Sequence, residues 1–199
     1  MILSKIWKKG EVMRVSKPPE ERKREMIETA MKLFARKGYE ATTMTDIAKE
    51  MNVVSGLCYR YFKSKEELYY TALELYASEC AAPIIQVLDA EYDSIEEYMK
   101  QLAIRFRQTD GRERYHDFFH GIGNELFHKQ LEYQMLKVTQ SHMIDMLERL
   151  KENRVIRVDN CKSMGLFILH GQMPIINDDS LSTEDKIRIV TDLVNKLIY

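Results

Sequence analysis

The chain has 199 residues, 45% hydrophobic and 31% charged, which suits one large domain or two small ones with a real core. Only 4 Pro and 8 Gly stand against 12 Met, a mix that favours helices over a turn-rich β sandwich. The three cysteines, Cys58, Cys80 and Cys161, form no CxxC pair, so a disulfide framework is excluded and a reducing cytoplasm is expected. The opening MILSKIWKKGEV lacks the apolar run of a secretory signal. The longest uncharged stretch, Ser163 to Asn177, carries Ser, His, Gln and Asn and is too short and polar to cross a bilayer.

The net charge of −1 hides an asymmetry. Residues 1–70 hold 15 Lys/Arg against 10 Asp/Glu, a balance of +5; residues 71–199 hold 15 against 21, a balance of −6. A basic first third suggests an anionic partner. A merely solvated surface would give the same sum, because phosphate contact needs local positive charge.

Residues 1–17 show no helical period and lead into Pro18-Pro19, so a loose arm is expected. Lys8-Lys9-Gly10-Glu11-Val12 precedes Met13, and Gly-Glu codons can spell a ribosome-binding sequence; translation is expected to start at Met13. A first helix is predicted over 20–37, with Ile27, Ala30, Met31 and Phe34 at helical spacing and Gly38 as its left-handed stop. Thr43-Met44-Thr45-Asp46 reads as a capping box with Asp for Glu, opening a two-turn helix whose inner face is Met44, Ile47, Ala48 and Met51. Asn52 suits the tight turn that follows, and a second short helix is predicted over about 55–61. Ser64 caps a fourth helix with Leu68, Ala72, Leu75 and Tyr76 turned inward.

Five further helices complete the pass. Ser94 caps one through about 108, striped by Ile95, Tyr98, Met99, Leu102 and Phe106. A less regular one covers about 111–121. A long one runs about 125–152, another about 159–173, with Met164, Phe167, Ile168 and Gly171 on one side. The last starts at Thr183 and carries Ile187, Val190, Val194 and Leu197. The expected fold is all-α, with about nine helices and no internal repeat.

Two short helices joined by a tight turn and packed on a third suit a helix-turn-helix DNA reader, whose second helix lies in the major groove. The run Ile27-x-x-Ala30-x-x-Leu33-Phe34-x-x-x-Gly38-x-x-x-Thr42-Thr43-x-x-x-Ile47-Ala48, continuing to Gly56-x-x-Tyr59-x-Tyr61-Phe62-x-x-Lys65-x-x-Leu68, resembles the N-terminal domain of the TetR family of bacterial transcriptional regulators. The likeness spans nearly that whole domain; past residue 75 it lies only in helix number and length. The resemblance implies an arm over 1–17, a three-helix DNA-binding domain over 18–66, and a helical effector-binding and dimerisation domain over 67–199.

On that resemblance Thr43, Thr45, Tyr59, Tyr61, Lys63 and Lys65 position the protein on phosphates, and Ser55, Gly56, Leu57, Tyr59 and Arg60 read bases. Gly56 would permit close backbone approach and Leu57 a thymine-methyl contact. Phe62 is expected in the core, Tyr61 in either role, and Lys65 either on phosphate or merely solvated. Val54 stands where the family commonly has Ser or Thr, so Ser55 is expected to take over the cap. Cys58 is expected as a buried, inert thiol.

The resemblance also implies a homodimer joined through the last two helices, with Gly165 and Gly171 allowing close approach, and a near-palindromic operator. The expected effector contacts are Tyr98, Leu102, Phe106, Tyr115, Phe118, Phe119, Tyr133, Met143, Phe167 and His170, although aromatic and Met stripes also make ordinary core. Phe118-Phe119 and Asn124 flank Gly121-x-Gly123, an expected break where a helix can move. His116 and His120 have metal-ligand spacing, but a lone i, i+4 pair without Cys is expected to be ordinary, and no metal, cofactor or membrane partner is expected. The expected function is a DNA-binding regulator, a repressor released from double-stranded DNA by a small-molecule effector. The alternatives are a sequence-indifferent structural DNA binder and an enzyme retaining a helix-turn-helix, the latter disfavoured by the lack of GxSxG, phosphate-loop or metal-tetrad motifs.

Overall fold

In a computed structural model, residues 17–109, 114–121 and 123–198 are described; the Met13 start lies outside them. Ten helical segments occur among these residues, and no strand. They are α1 (Pro19–Lys37), α2 (Met44–Glu50), α3 (Ser55–Tyr61), α4 (Lys65–Asp89), α5 (Ile95–Thr109), α6 (His116–Phe119), α7 (Glu125–Glu152), α8 (Cys161–Gly171), α9 (Met173–Ile176) and α10 (Thr183–Ile198). The irregular helix expected over 111–121 is, in its described part, the single turn α6, and α9 is a short segment that periodicity did not announce.

The helix ends follow local chemistry. Pro19 opens α1, where a missing N–H costs nothing. Gly38 closes it at φ 85°, its N–H donating to the Phe34 carbonyl at 2.9 Å. Asn52 takes φ 55° in the turn between α2 and α3, a conformation its short polar side chain tolerates. Ser64 accepts from the Glu67 N–H at 3.2 Å and starts α4. Ser94 accepts likewise from the Glu97 N–H at 3.2 Å and starts α5.

Two hydrophobic cores form. The first gathers the inner faces of α1, α2 and α3, the first half of α4, Phe118 and Phe119 of α6, and Leu131 of α7. The second gathers the end of α4, the start of α5, and buried residues of α7, α8 and α10. α4 and α7 run through both; their 25 and 28 residues span about 37 and 42 Å at ~1.5 Å per residue. Leu75, expected inward on α4, is exposed, and Tyr69 and Leu73 are buried instead, because the helix is covered by α1 and α7 on flanks that a single stripe does not describe.

Candidate nucleic-acid interface

Thr43 forms both halves of the capping box. The Asp46 N–H donates to its Oγ1 at 3.1 Å, and its own N–H donates to Asp46 Oδ2 at 3.0 Å. Its hydroxyl also donates to that carboxylate at 2.6 Å. These bonds hold the Asp46 carboxyl below the usual carboxylate range. Thr43 and Thr45 are both exposed at the start of α2.

α3 is short and two-faced. Cys58 is fully buried, and burial pushes its thiol up, as expected of an inert core residue. Leu57 and Tyr61 are half-buried against the first core. Gly56, Tyr59 and Arg60 face outward, Tyr59 at 53% exposure. A Cβ built on Gly56 meets nothing within 4 Å and its φ is ordinary, so nothing in this chain demands a glycine there. The expected Ser55 cap is not formed: Val54 is the N-cap residue, without a side-chain bond, and Ser55 is already the first helical residue. The peptide that a Ser or Thr at 54 would cap therefore has no side-chain partner, which leaves the start of α3 open.

Lys63 is exposed, its N–H donating to Glu67 Oε2 at 2.6 Å. Lys65 is neither free nor simply solvated. Its ammonium donates to the Tyr39 carbonyl at 2.8 Å and lies 4.1 Å from the Tyr39 ring centroid. Burial pushes the Tyr39 hydroxyl up to about 12, with Glu66 and Glu40 adding to the shift, so the ring stays neutral beneath the cation. Sequence reading did not find this clamp, because Tyr39 and Lys65 are 26 residues apart and share no periodic pattern. Phe62 is buried, with Lys23 over its ring at 5.6 Å.

The candidate effector residues scatter. Phe118 and Phe119 belong to the first core, where Phe118 lies 6.2 Å from Phe34 and 5.2 Å from Phe127, and Phe119 stacks on Tyr76 at 5.2 Å. Tyr115 meets Tyr76 edge-on at 5.1 Å beside a small cleft of about 60 Å³, across which Arg114 pairs with Glu28 of α1 at 2.9 Å. Tyr98 and Met143 are in the second core, and the Tyr98 hydroxyl donates to the Ala90 carbonyl at 2.6 Å. Leu102 packs against that core, and Phe106 is half-buried. Tyr133 is 62% exposed over an open groove of about 300 Å³ that Tyr70 and Lys129 also line. Phe167, at 61%, and His170 are exposed. The ten do not meet around one cavity.

The break after α6 is present. Gly123 takes φ 84°, a Cβ on Gly121 would strike the Asp117 carbonyl at 2.7 Å, and the Asn124 side-chain amide donates to the Phe118 carbonyl at 2.7 Å. His116 and His120 stack at 4.2 Å, and His128 follows at 4.4 Å from His120. Among the described residues no group of three or more His, Cys, Asp or Glu is arranged to hold a metal, and no helix is long and apolar enough to cross a membrane. Gly165 does not serve a partner helix. A Cβ there would sit 3.3–3.4 Å from Ile144, Leu147 and Met143, so this glycine brings α8 onto α7 of the same chain.

Comparison with known proteins agrees with this geometry. Residues 26–70 match the profile of "Bacterial regulatory proteins, tetR family". The chain is 33% identical over 94 residues to the HTH-type transcriptional repressor KstR2 of Mycolicibacterium smegmatis, covering 47% of this chain and 46% of that protein; it spans less than half the length of the curated relatives it matches. The fold alone is shared with a TetR/AcrR-family regulator of Thermobifida fusca, at TM-score 0.59 and 18% identity over 87% of this chain and 96% of the other. It is shared equally with RolR, solved in complex with the ligand resorcinol, at TM-score 0.61 and 18% identity over 90% and 88%. Residues 26–70 thus match the helix-turn-helix of the TetR family of bacterial regulatory proteins, and the helical architecture is shared with these solved regulators along most of the chain.

Proposed function

We propose that this chain is a cytoplasmic transcriptional regulator, not an enzyme, that reads double-stranded DNA with α3. It acts as a repressor released by a small molecule. The observation that carries the reading is the outer face of α3: Gly56, Tyr59 and Arg60 are exposed, and the glycine is required by nothing inside the chain. A groove-bound helix needs such a face, with backbone able to approach base edges. Thr43, Thr45, Tyr61 and Lys63 flank it for phosphate contact, and Lys65 fixes the approach of α4 to the loop at Tyr39. Ser55 and Leu57, half-buried at the start of the same helix, are read as its remaining base contacts.

Residues 18–66 form the reading unit, and residues 67–199 form the effector and dimerisation unit. Phe167 on α8 and Leu193 and Leu197 on α10 are exposed apolar side chains, which supports a homodimer through these two helices and hence a near-palindromic operator. RolR's complex with resorcinol supports the effector reading by fold alone.

Selection of bound duplexes from a random library, followed by affinity at two salt concentrations, tests the proposal. An inverted repeat is expected. Sequence-indifferent binding with a steep salt slope would overturn it in favour of a structural DNA binder.

A further inference from the structure

The open groove between α4 and α7 measures about 300 Å³, a space that about ten waters would fill. Tyr70 and Leu73 line it from α4, and Lys129, Gln130, Tyr133 and Gln134 line it from α7. Tyr70 is 52% exposed and Tyr133 62%, so the chain leaves both rings largely in water. A single exposed aromatic is ordinary. Two from different helices on the walls of one groove mark a surface that another molecule covers.

The polar groups of the groove have unused capacity. The Tyr69 hydroxyl donates to Gln130 Oε1 at 2.8 Å, which fixes that amide and leaves its N–H donors available. Lys129 is exposed and makes no ion pair or hydrogen bond among the described residues. It is the one charged residue of the lining.

That lining selects a class of ligand. Tyrosine rings on both walls favour a planar aromatic body, which they meet by offset or edge contact. The same rings would take an organic cation, but the Lys129 ammonium repels one and no carboxylate lines the groove to hold it. A charge-assisted bond from Lys129, with the Gln130 donors in the same lining, suits a carboxylate.

The groove also adjoins the first core. The Tyr70 ring lies 5.5 Å from Tyr69, and Tyr69 lies 5.3 Å from both Tyr39 and Phe127. Tyr39 is the residue that Lys65 clamps. A body against Tyr70 is therefore two rings from the loop that follows α1.

We propose that the effector is a small planar aromatic acid seated in this α4–α7 groove, its ring against Tyr70 and Tyr133 and its carboxylate on Lys129. This rests on the reading that residues 67–199 hold an effector.

The test uses the full chain and calorimetry without DNA. Naphthoate is compared with naphthylmethanol and naphthylmethylamine, and benzoate with cyclohexanecarboxylate. Naphthoate is expected to bind about ten-fold more tightly than its alcohol or its amine, and benzoate more tightly than its non-planar counterpart. Tyr133→Ala is expected to weaken naphthoate about ten-fold without lowering the ligand-free melting temperature, since the ring is mostly exposed. Tyr133→Phe, which keeps the ring, is expected to retain the affinity. Lys129→Gln is expected to bring naphthoate down to the level of its alcohol and leave the alcohol unchanged. Bound naphthoate is expected to weaken affinity for the selected duplex. No saturable binding, equal binding of acid and alcohol, full naphthoate affinity in Tyr133→Ala, or binding that leaves duplex affinity unchanged would overturn the proposal. Duplex affinity of the ligand-free chain keeps the two readings apart: its absence removes the DNA-binding reading, whereas its presence with an indifferent panel removes only the aromatic acid.

Discussion

On the proposed reading, position 56 separates folding from recognition. Glycine inside a helix costs roughly 0.5–1 kcal/mol relative to alanine, and at Gly56 no neighbour would meet the added methyl. Gly56→Ala is therefore expected to leave thermal stability unchanged or raised while weakening operator binding, read by melting and by titration of the selected duplex; weakened stability with intact binding would contradict the assignment. Thr43 also serves the fold, since its hydroxyl makes the cap. Thr43→Ala should cost about 1 kcal/mol in urea unfolding. The same cap sets a pH dependence. Asp46 is held below its ordinary range by the Thr43 side chain first and the Thr43 N–H second. The bonds therefore contribute fully above the unfolded carboxylate range, near ~3.9, and are lost as pH falls through the lower folded value. The stability gap between wild type and Asp46→Asn should be constant at neutral pH and shrink only below about pH 4.

At the scale of elements, α6 matters more than its four residues suggest. Phe118 and Phe119 sit among the side chains that hold α1 and α4 together, and Arg114, just before α6, pairs with Glu28 of α1. Anything that displaces α6 therefore acts on the reading unit through packed aromatic rings, which are bistable rather than softly deformable. Phe118→Ala should cost about 3–5 kcal/mol and lower hydrogen-exchange protection in α1 as well as in α7. Confinement of the loss to α7 would show that the shared core does not couple them. Packing of α8 on α7 supplies a matched pair of tests. Gly165→Leu should destabilise the fold, because Met143, Ile144 and Leu147 already stand at contact distance, whereas Gly171→Ala meets nothing within 4 Å and should be neutral or stabilising.

For the whole molecule, the exposed apolar residues of α8 and α10 and the two-fold symmetry of the proposed palindromic operator are one question. Phe167→Asp combined with Leu193→Asp should give monomers in sedimentation without loss of helix content, since both side chains are exposed in the single chain. Operator affinity should fall with dissociation, because one reading helix contacts only a half-site.

Much of this protein follows from its sequence by itself. Helix positions, the Thr43 and Ser64 caps, the Gly38 stop and the Asn52 turn are decided within three or four residues, where spacing and local hydrogen bonding are the whole argument, and the short helix α3 comes with them. The tertiary structure alone decided what lies beyond that range. Lys65 meets Tyr39 across 26 residues, and Gly165 turns to α7 rather than to a partner. Leu75 faces outward, and the aromatic candidates divide between two cores and the exposed surface. Periodicity states that a helix has an apolar face. Which neighbour covers that face depends on how the helices cross, and no local pattern encodes that crossing.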